Sequence, residues 1–336
     1  MEIVTGVTFT QTHTTTGSVT LVKQGEGTLF FNGTSSFYAG AYDIQEGTLK
    51  FQTDTSYAFN SKTVTGAGTL SLVGGYTSYT NMQSWNLSGF TGEVELTKVR
   101  LWNPTLASGT TITVNSGAQY VVEKNSTSAT GLIFNIAGDG VAEGSDYYGA
   151  IRVVGTLENG TINLTDDALI TNAAADSGEE KIKGSTINLE RTLADNSVES
   201  HTLTLQRITI SDSSTINVGE GTLKLTSSNV TDSTINVARG ILELSSSTIT
   251  NSDVNMDGGT LNLTGSTVET LDPTSASLSV NVTGTNTLAA TASETGITDV
   301  TYNNVYDATN QQWTFASGAI LNLDVDAPDN NTKNTP

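Results

Sequence analysis

The chain has 336 residues, a length that a repeat architecture can carry as one continuous body. Charged residues make up 14 % and hydrophobic ones 36 %, with Thr, Ser, Asn and Gly filling the rest; this excludes a highly charged disordered chain, and Gly 33 with Pro 4 fails the collagen pattern. A formal net charge of −20, Asp+Glu 34 against Lys+Arg 14 with no basic cluster, favours solubility and excludes nucleic acid as a partner.

In chain order, Met1-Glu2-Ile3-Val4-Thr5 lacks the basic start and apolar run of a secretory signal. No stretch reaches the roughly 18 apolar residues of a membrane helix. The chain starts in mid-pattern, and the expectation is an excised fragment with an added Met, its export signal and anchor lying outside it. Residues 1–120 carry Lys23-Gln24-Gly25-Glu26-Gly27-Thr28-Leu29, then Asn32-Gly33, Phe37-Tyr38-Ala39-Gly40 and Glu46-Gly47-Thr48-Leu49. A second copy starts at Thr65-Gly66-Ala67-Gly68-Thr69-Leu70 and continues to Ser88-Gly89-Phe90-Thr91-Gly92, and a third piece runs from Gly109 to Ala118. The Gly-Thr-Leu triplets starting at Gly27, Gly47 and Gly68 are almost evenly spaced, at the length of one coil. This pattern resembles the passenger-associated transport repeat, the autotransporter-associated β-strand motif of autotransporter passenger domains. The resemblance implies a β-helical passenger exported across the outer membrane by a C-terminal β-barrel, with the repeat assisting export. No such barrel is present in this sequence.

Residues 121–213 read as irregular coils with loop insertions. Asp146-Tyr147-Tyr148 sits in a Gly-rich stretch, Ala137 to Ala150, and paired tyrosines can either stack on sugar rings or pack against the coil. Thr161-Ile162-Asn163-Leu164 and Thr186-Ile187-Asn188-Leu189 are copies of one strand, and the next copy starts at Thr215. Both of these steps are longer than one regular coil. The extra residues, around Asp166 to Lys183 and Glu190 to His201, are expected as loops thrown out from the stack. Asp176-Ser177-Gly178-Glu179-Glu180 suits a solvated loop. Tyr147, Tyr148, Asp176, Glu179 and Glu180 are therefore the candidate binding residues, on one flank, for a host or cell-surface glycan or protein.

Residues 214–270 decide the fold. Ser214-Thr215-Ile216-Asn217-Val218 recurs as Ser233-Thr234-Ile235-Asn236-Val237 and Ser252-Asp253-Val254-Asn255-Met256, at a constant step of 19. Gly221-Thr222-Leu223-Lys224-Leu225 and Asn229-Val230-Thr231 recur at the same step. Within each segment the period is two, with an aliphatic side and a side that varies across Lys224, Glu243 and Asn262, as a strand requires. Units this short and this rich in Thr, Val and Ile exclude helical repeats. The prediction is an all-β chain, a right-handed single-stranded parallel β-helix with about 19–21 residues per coil. Residues 271–325 are expected as C-terminal coils and 326–336 as a flexible tail.

The sequence holds no recognisable catalytic set. Asp212, Asp232 and Asp253 recur near one coil corner, a spacing compatible with a stack, and no Arg or Lys stands beside them in the sequence; a turn preference of Asp explains them better than a carboxylate site. Asp324, Asp326 and Asp329 form a D-x-D-x-x-D run that offers oxygens to Ca²⁺ but lacks the Gly and distal Glu of a known loop, so a solvated terminal segment is favoured. His13 and His201 are lone histidines without a second ligand at metal spacing, each read as exposed. Trp85, Trp102 and Trp313 are assigned structural roles. No cofactor is expected, and the chain is expected to be a monomer. Zero Cys suits passage through an oxidising compartment. The leading functional expectation is a surface stalk or adhesin at the cell surface or secreted, not an enzyme; a polysaccharide lyase or hydrolase and a phage or S-layer spike are the alternatives.

Overall fold

The computed structural model describes residues 8–11, 20–32, 40–55, 61–75, 79–124, 126–172, 181–273, 278–283, 287–290, 300–306, 312–315 and 323–324. Every regular element in them is a strand. The strands stack in parallel, coil upon coil, as a β-solenoid of about 11 turns. Alternation is the cause. In strand Thr215–Gly219 the side chains of Ile216 and Val218 are fully buried, whereas Thr215 and Asn217 face out and are half-buried.

The register follows the sequence copies. Thr161 pairs with Thr186, Thr186 with Thr215, Thr215 with Thr234 and Thr234 with Asp253. The long steps, from Thr161 to Thr186 and from Thr186 to Thr215, are thus single turns like the regular ones. Thr28, Thr48 and Thr69 of the Gly-Thr-Leu triplets also pair in succession. A slip by a single position would turn every aliphatic side chain to water, so the register is fixed by burial.

Each turn of the regular section has three strands. The first turn consists of Thr215–Gly219, Thr222–Thr226 and Asn229–Thr231. In the next, Thr234–Val237, Ile241–Ser245 and Thr248–Thr250 lie directly on these. The core along this section is a column of Ile, Val and Leu with Met256. Towards the N-terminus the interior takes larger groups. Phe31 and Phe51 stack at 5.3 Å, and Trp85, fully buried, meets Phe51 edge-on at 5.8 Å. One side there is a separate five-stranded sheet: Thr20–Lys23, Ala41–Ile44, Thr63–Gly66, Asn86–Phe90 and Thr105–Leu106. Lys23, from the repeat motif, is buried; its ammonium donates to the carbonyls of Gln24, Gly25 and Glu46 at 2.9, 2.5 and 3.0 Å. Burial pulls this lysine below its ordinary pKa.

Two corners of the solenoid carry buried serine ladders. At one, Ser228, Ser247 and Ser266 follow one another. The N–H of Ser228 donates to Ser247 Oγ at 3.1 Å, and the N–H of Ser247 to Ser266 Oγ at 3.2 Å. Each hydroxyl in turn donates back to the carbonyl two positions earlier, as Ser247 does to Ser245 at 2.9 Å. At the other corner Ser233 and Ser252 repeat the device. The residue before each serine turns the chain with positive φ: Ser227 at 50°, Ser246 at 51°, Asp232 at 50° and Asn251 at 46°. A left-handed corner leaves an N–H pointing inward, and the next coil's serine satisfies it.

The two insertions behave differently. Residues 166–171 do not leave the stack; they continue strand Thr161–Thr171 around a bend. Residues 173–180, which include Asp176, Glu179 and Glu180, lie outside the described residues. The second insertion does project: Glu190–Thr192 and Val198–Ser200 form an antiparallel hairpin.

Ile235→Asp places an unpaired charge in the column and is expected to cost at least about 4 kcal/mol. Ser247→Ala strands the Ser228 N–H at a buried corner and should cost about 1–3 kcal/mol. Urea unfolding followed by circular dichroism measures both, and a negligible cost for either would contradict the packing described.

Candidate functional site

The outward asparagines of the first strand in each turn form an unbroken amide ladder. Nδ2 of Asn163 donates to Oδ1 of Asn135 at 3.3 Å, Asn188 to Asn163 at 2.9 Å and Asn217 to Asn188 at 2.9 Å. Asn236 donates to Asn217 at 3.0 Å and Asn255 to Asn236 at 2.9 Å. At the N-terminal end Asn135 reaches Thr113 Oγ1 at 3.5 Å, whose hydroxyl donates to Glu93 at 2.6 Å. In-register parallel stacking brings identical side chains about 4.8 Å apart, which is the reach of one such bond. Each amide uses one N–H in the ladder and keeps its other N–H and a lone pair for a ligand.

The hairpin rises beside this row. Glu190 at its root accepts the N–H of Glu220 at 2.5 Å, and Ser200 reaches the same oxygen at 3.4 Å. Its carboxylate occupies the place of a side chain at Gly219: a Cβ there would meet Glu190 at 1.9 Å, and Gly219 has φ +60°. Glycine at 219 leaves room for this carboxylate against the backbone; a larger residue there would push the flexible Glu190 side chain aside. On one side of the hairpin a hollow of about 530 Å³ is lined by Asn188, Asn217, Asn236 and Asn255 with Thr192 and Asp257. On the other, a hollow of about 400 Å³ is lined by Thr113, Asn135, Thr165 and Arg191. Asn163 and Glu190 line both, so the two hollows adjoin at the hairpin root and make up an amide-lined furrow.

The two candidate tyrosines differ in exposure. Tyr147 is 54 % exposed at the end of a small hairpin, Ala142–Glu143 with Asp146–Tyr147. Tyr148 packs instead, with the Arg152 guanidinium 5.0 Å from its ring centre. Both line a cleft of about 450 Å³ with Asp139, Asp146, Leu169 and Arg207. Leu169 belongs to the second side of its turn, so this cleft and the amide furrow are separate places. Of the terminal acidic run, Asp324 ends strand Leu323–Asp324, and Asp326 and Asp329 lie outside the described residues, as does His13.

Three expectations need correction. Asp212, Asp232 and Asp253 do not stack as one ladder. Asp212 and Asp232 are positive-φ corner residues, and it is Asn251 that stacks on Asp232 and hydrogen-bonds to it, while Asp253 lies in a strand opposite Thr234. The turn chemistry of Asp and Asn explains Asp212, Asp232 and Asn251. Nor is Asp212 without a cation: Lys183 Nζ lies 3.0 Å from it. Finally, His201 is not an exposed lone histidine. Only 12 % of its side chain is accessible, and it lies with Asp166 and Asp167.

Comparisons of the chain with protein-family models, with curated proteins and with solved structures found no match.

Replacing Asn236 by Asp, an exchange that its outward position alone would make harmless, is expected to cost about 1–3 kcal/mol near neutral pH, because an oxygen then faces Asn217 Oδ1 with no hydrogen between. The folded state would favour the protonated acid, raising its pKa, so the penalty against the parent should shrink as pH falls through that raised pKa and level off below the ordinary Asp value. Lys224→Ala, on the exposed 3.7 Å pair with Glu243, should change stability by less than about 1 kcal/mol. Parallel urea titrations at two pH values check both.

Proposed function

We propose that this chain is a rod segment of a bacterial cell-surface or secreted protein, of the autotransporter-passenger kind, and that it holds an extended neutral glycan along the amide furrow. The observation that carries the reading is the ladder itself. From Asn135 to Asn255 one polar group per turn faces outward with bonding capacity to spare, beside the root of a hairpin. Hydroxyl-rich chains pair with amides as both donor and acceptor, and a glycan repeats along its length as the ladder does. The acidic chain, at −20, disfavours acidic polysaccharides. The resemblance of residues 23–49 and 65–92 to transport repeats supports the surface location. Binding is favoured over cleavage because the furrow is lined mainly by amides, and of its carboxylates Glu190 is held by the Glu220 N–H.

A glycan array with the whole chain tests the reading. Binding to neutral linear glycans should fall at least about tenfold on Asn217→Ala together with Asn188→Ala, by loss of two hydrogen-bonding amides. Tyr147→Ala should leave it unchanged. If Tyr147→Ala alone removes binding, the cleft beside that ring is the site, and if the parent binds nothing the chain is a stalk. For the location, the chain placed between a signal peptide and a β-barrel translocator should become accessible to added protease on intact cells; retention inside the outer membrane would contradict the passenger reading.

A further inference from the structure

Two departures from the regular coil meet at one corner. In strand Thr161–Thr171 the path from Leu164 to Ala168 lies opposite the shorter path from Ile136 to Gly138 in the preceding turn. The excess breaks the in–out alternation and turns both Asp166 and Asp167 out to solvent. One turn later the projecting hairpin ends at Ser200, and the chain re-enters the stack through His201 into strand Thr202–Gln206. That strand lies on the first from Ala168 opposite Leu203 onward, and the Thr202 N–H donates to Asp167 Oδ1 at 2.7 Å.

The result is a mixed donor set. One imidazole nitrogen of His201 and one carboxylate oxygen from each of Asp166 and Asp167 lie within 4.8 Å of one another. His201 Nε2 is itself buried and makes no hydrogen bond; the Glu199 carboxylate stands 4.0 Å away, beyond hydrogen-bond range. An imidazole that keeps one buried nitrogen without a partner and lies against two outward carboxylates suits a cation better than another protein group. We propose that Asp166, Asp167 and His201 bind a divalent first-row transition ion, with Zn²⁺ as the best fit.

The chemistry selects the class. Two carboxylates balance the ion's charge, and a neutral imidazole suits Zn²⁺, whereas Ca²⁺ prefers six to eight oxygens. Ligand atoms about 2.0–2.2 Å from a tetrahedral ion stand about 3.4 Å apart, so side-chain rotation of about an ångström closes the set. A fourth position stays open to water or to Glu199. The ion would clamp the bend of one turn to the entry of the next and fix the root of the hairpin. This site stands independently of glycan binding, since none of its three ligands lines the amide furrow.

The test uses the whole chain, stripped with chelator and titrated with zinc chloride by calorimetry and thermal unfolding. One ion per chain should bind and raise the unfolding temperature, with a smaller rise for calcium chloride at equal concentration. His201→Gln, and Asp166→Asn combined with Asp167→Asn, should each weaken zinc at least about tenfold, as loss of a ligand does, while Asp212→Asn binds as the parent does. Co²⁺ supplies a readout independent of stability: its visible absorption should appear with the parent and vanish with His201→Gln. Zinc binding unchanged in both ligand variants, or no binding by the parent up to millimolar zinc, would overturn the site.

Discussion

Every coil of this molecule depends on its neighbours above and below. A single turn of three short strands has an aliphatic row such as Ile235, Leu242 and Ile249, and no way to bury it alone. The neighbouring turns supply the cover, and the in-register pairing from Thr161 to Asp253 keeps like residues over like. Burial of each such side chain contributes about 1.5–3 kcal/mol, repeated along the rod. Stability is therefore distributed and built from nearest-neighbour contacts.

Stacking like over like has the same effect on polar groups as on apolar ones. Inside, serine hydroxyls meet the inward N–H groups of left-handed corners. Outside, asparagine amides meet one another. Both ladders arise from one rule, that a residue repeated at one phase of the coil is brought within hydrogen-bond reach of its copy. Where the phase is broken, at Asp166-Asp167 and at the hairpin after Leu189, the groups brought together are unlike, and the mixed His–Asp cluster appears.

Much of this was legible in the sequence. The strands and their inward residues follow from period-two alternation, and the recurring Thr-Ile-Asn motif marks each turn even where the step lengthens between Thr161, Thr186 and Thr215. The amide ladder had a visible signal as well, since Asn163, Asn188, Asn217, Asn236 and Asn255 share one phase, but an outward polar residue reads as solvated until its neighbour one turn away is considered. His201 carried no such signal. Its carboxylate partners lie a full turn back, across an insertion whose path the sequence does not set, and spacing rules for metal ligands presume a short connection. The acids Asp212, Asp232 and Asp253 misled in the opposite sense: near-equal spacing suggested a stack, but the corner position after Asp232 is Asn251, and Asp253 has already entered the strand.

The amide ladder has a direction. Every Nδ2 points to the preceding turn and every Oδ1 to the following one, from Asn255 back to Asn135, and the donor end closes through Thr113 on the Glu93 carboxylate. Bonds aligned head to tail polarise one another, and their positive end meets a negative charge. The row is thus a one-way track whose two ends are electrically unlike. A polymer with its own chemical polarity, lying along it, would meet a different field if reversed, and the rod would hold it in one sense only.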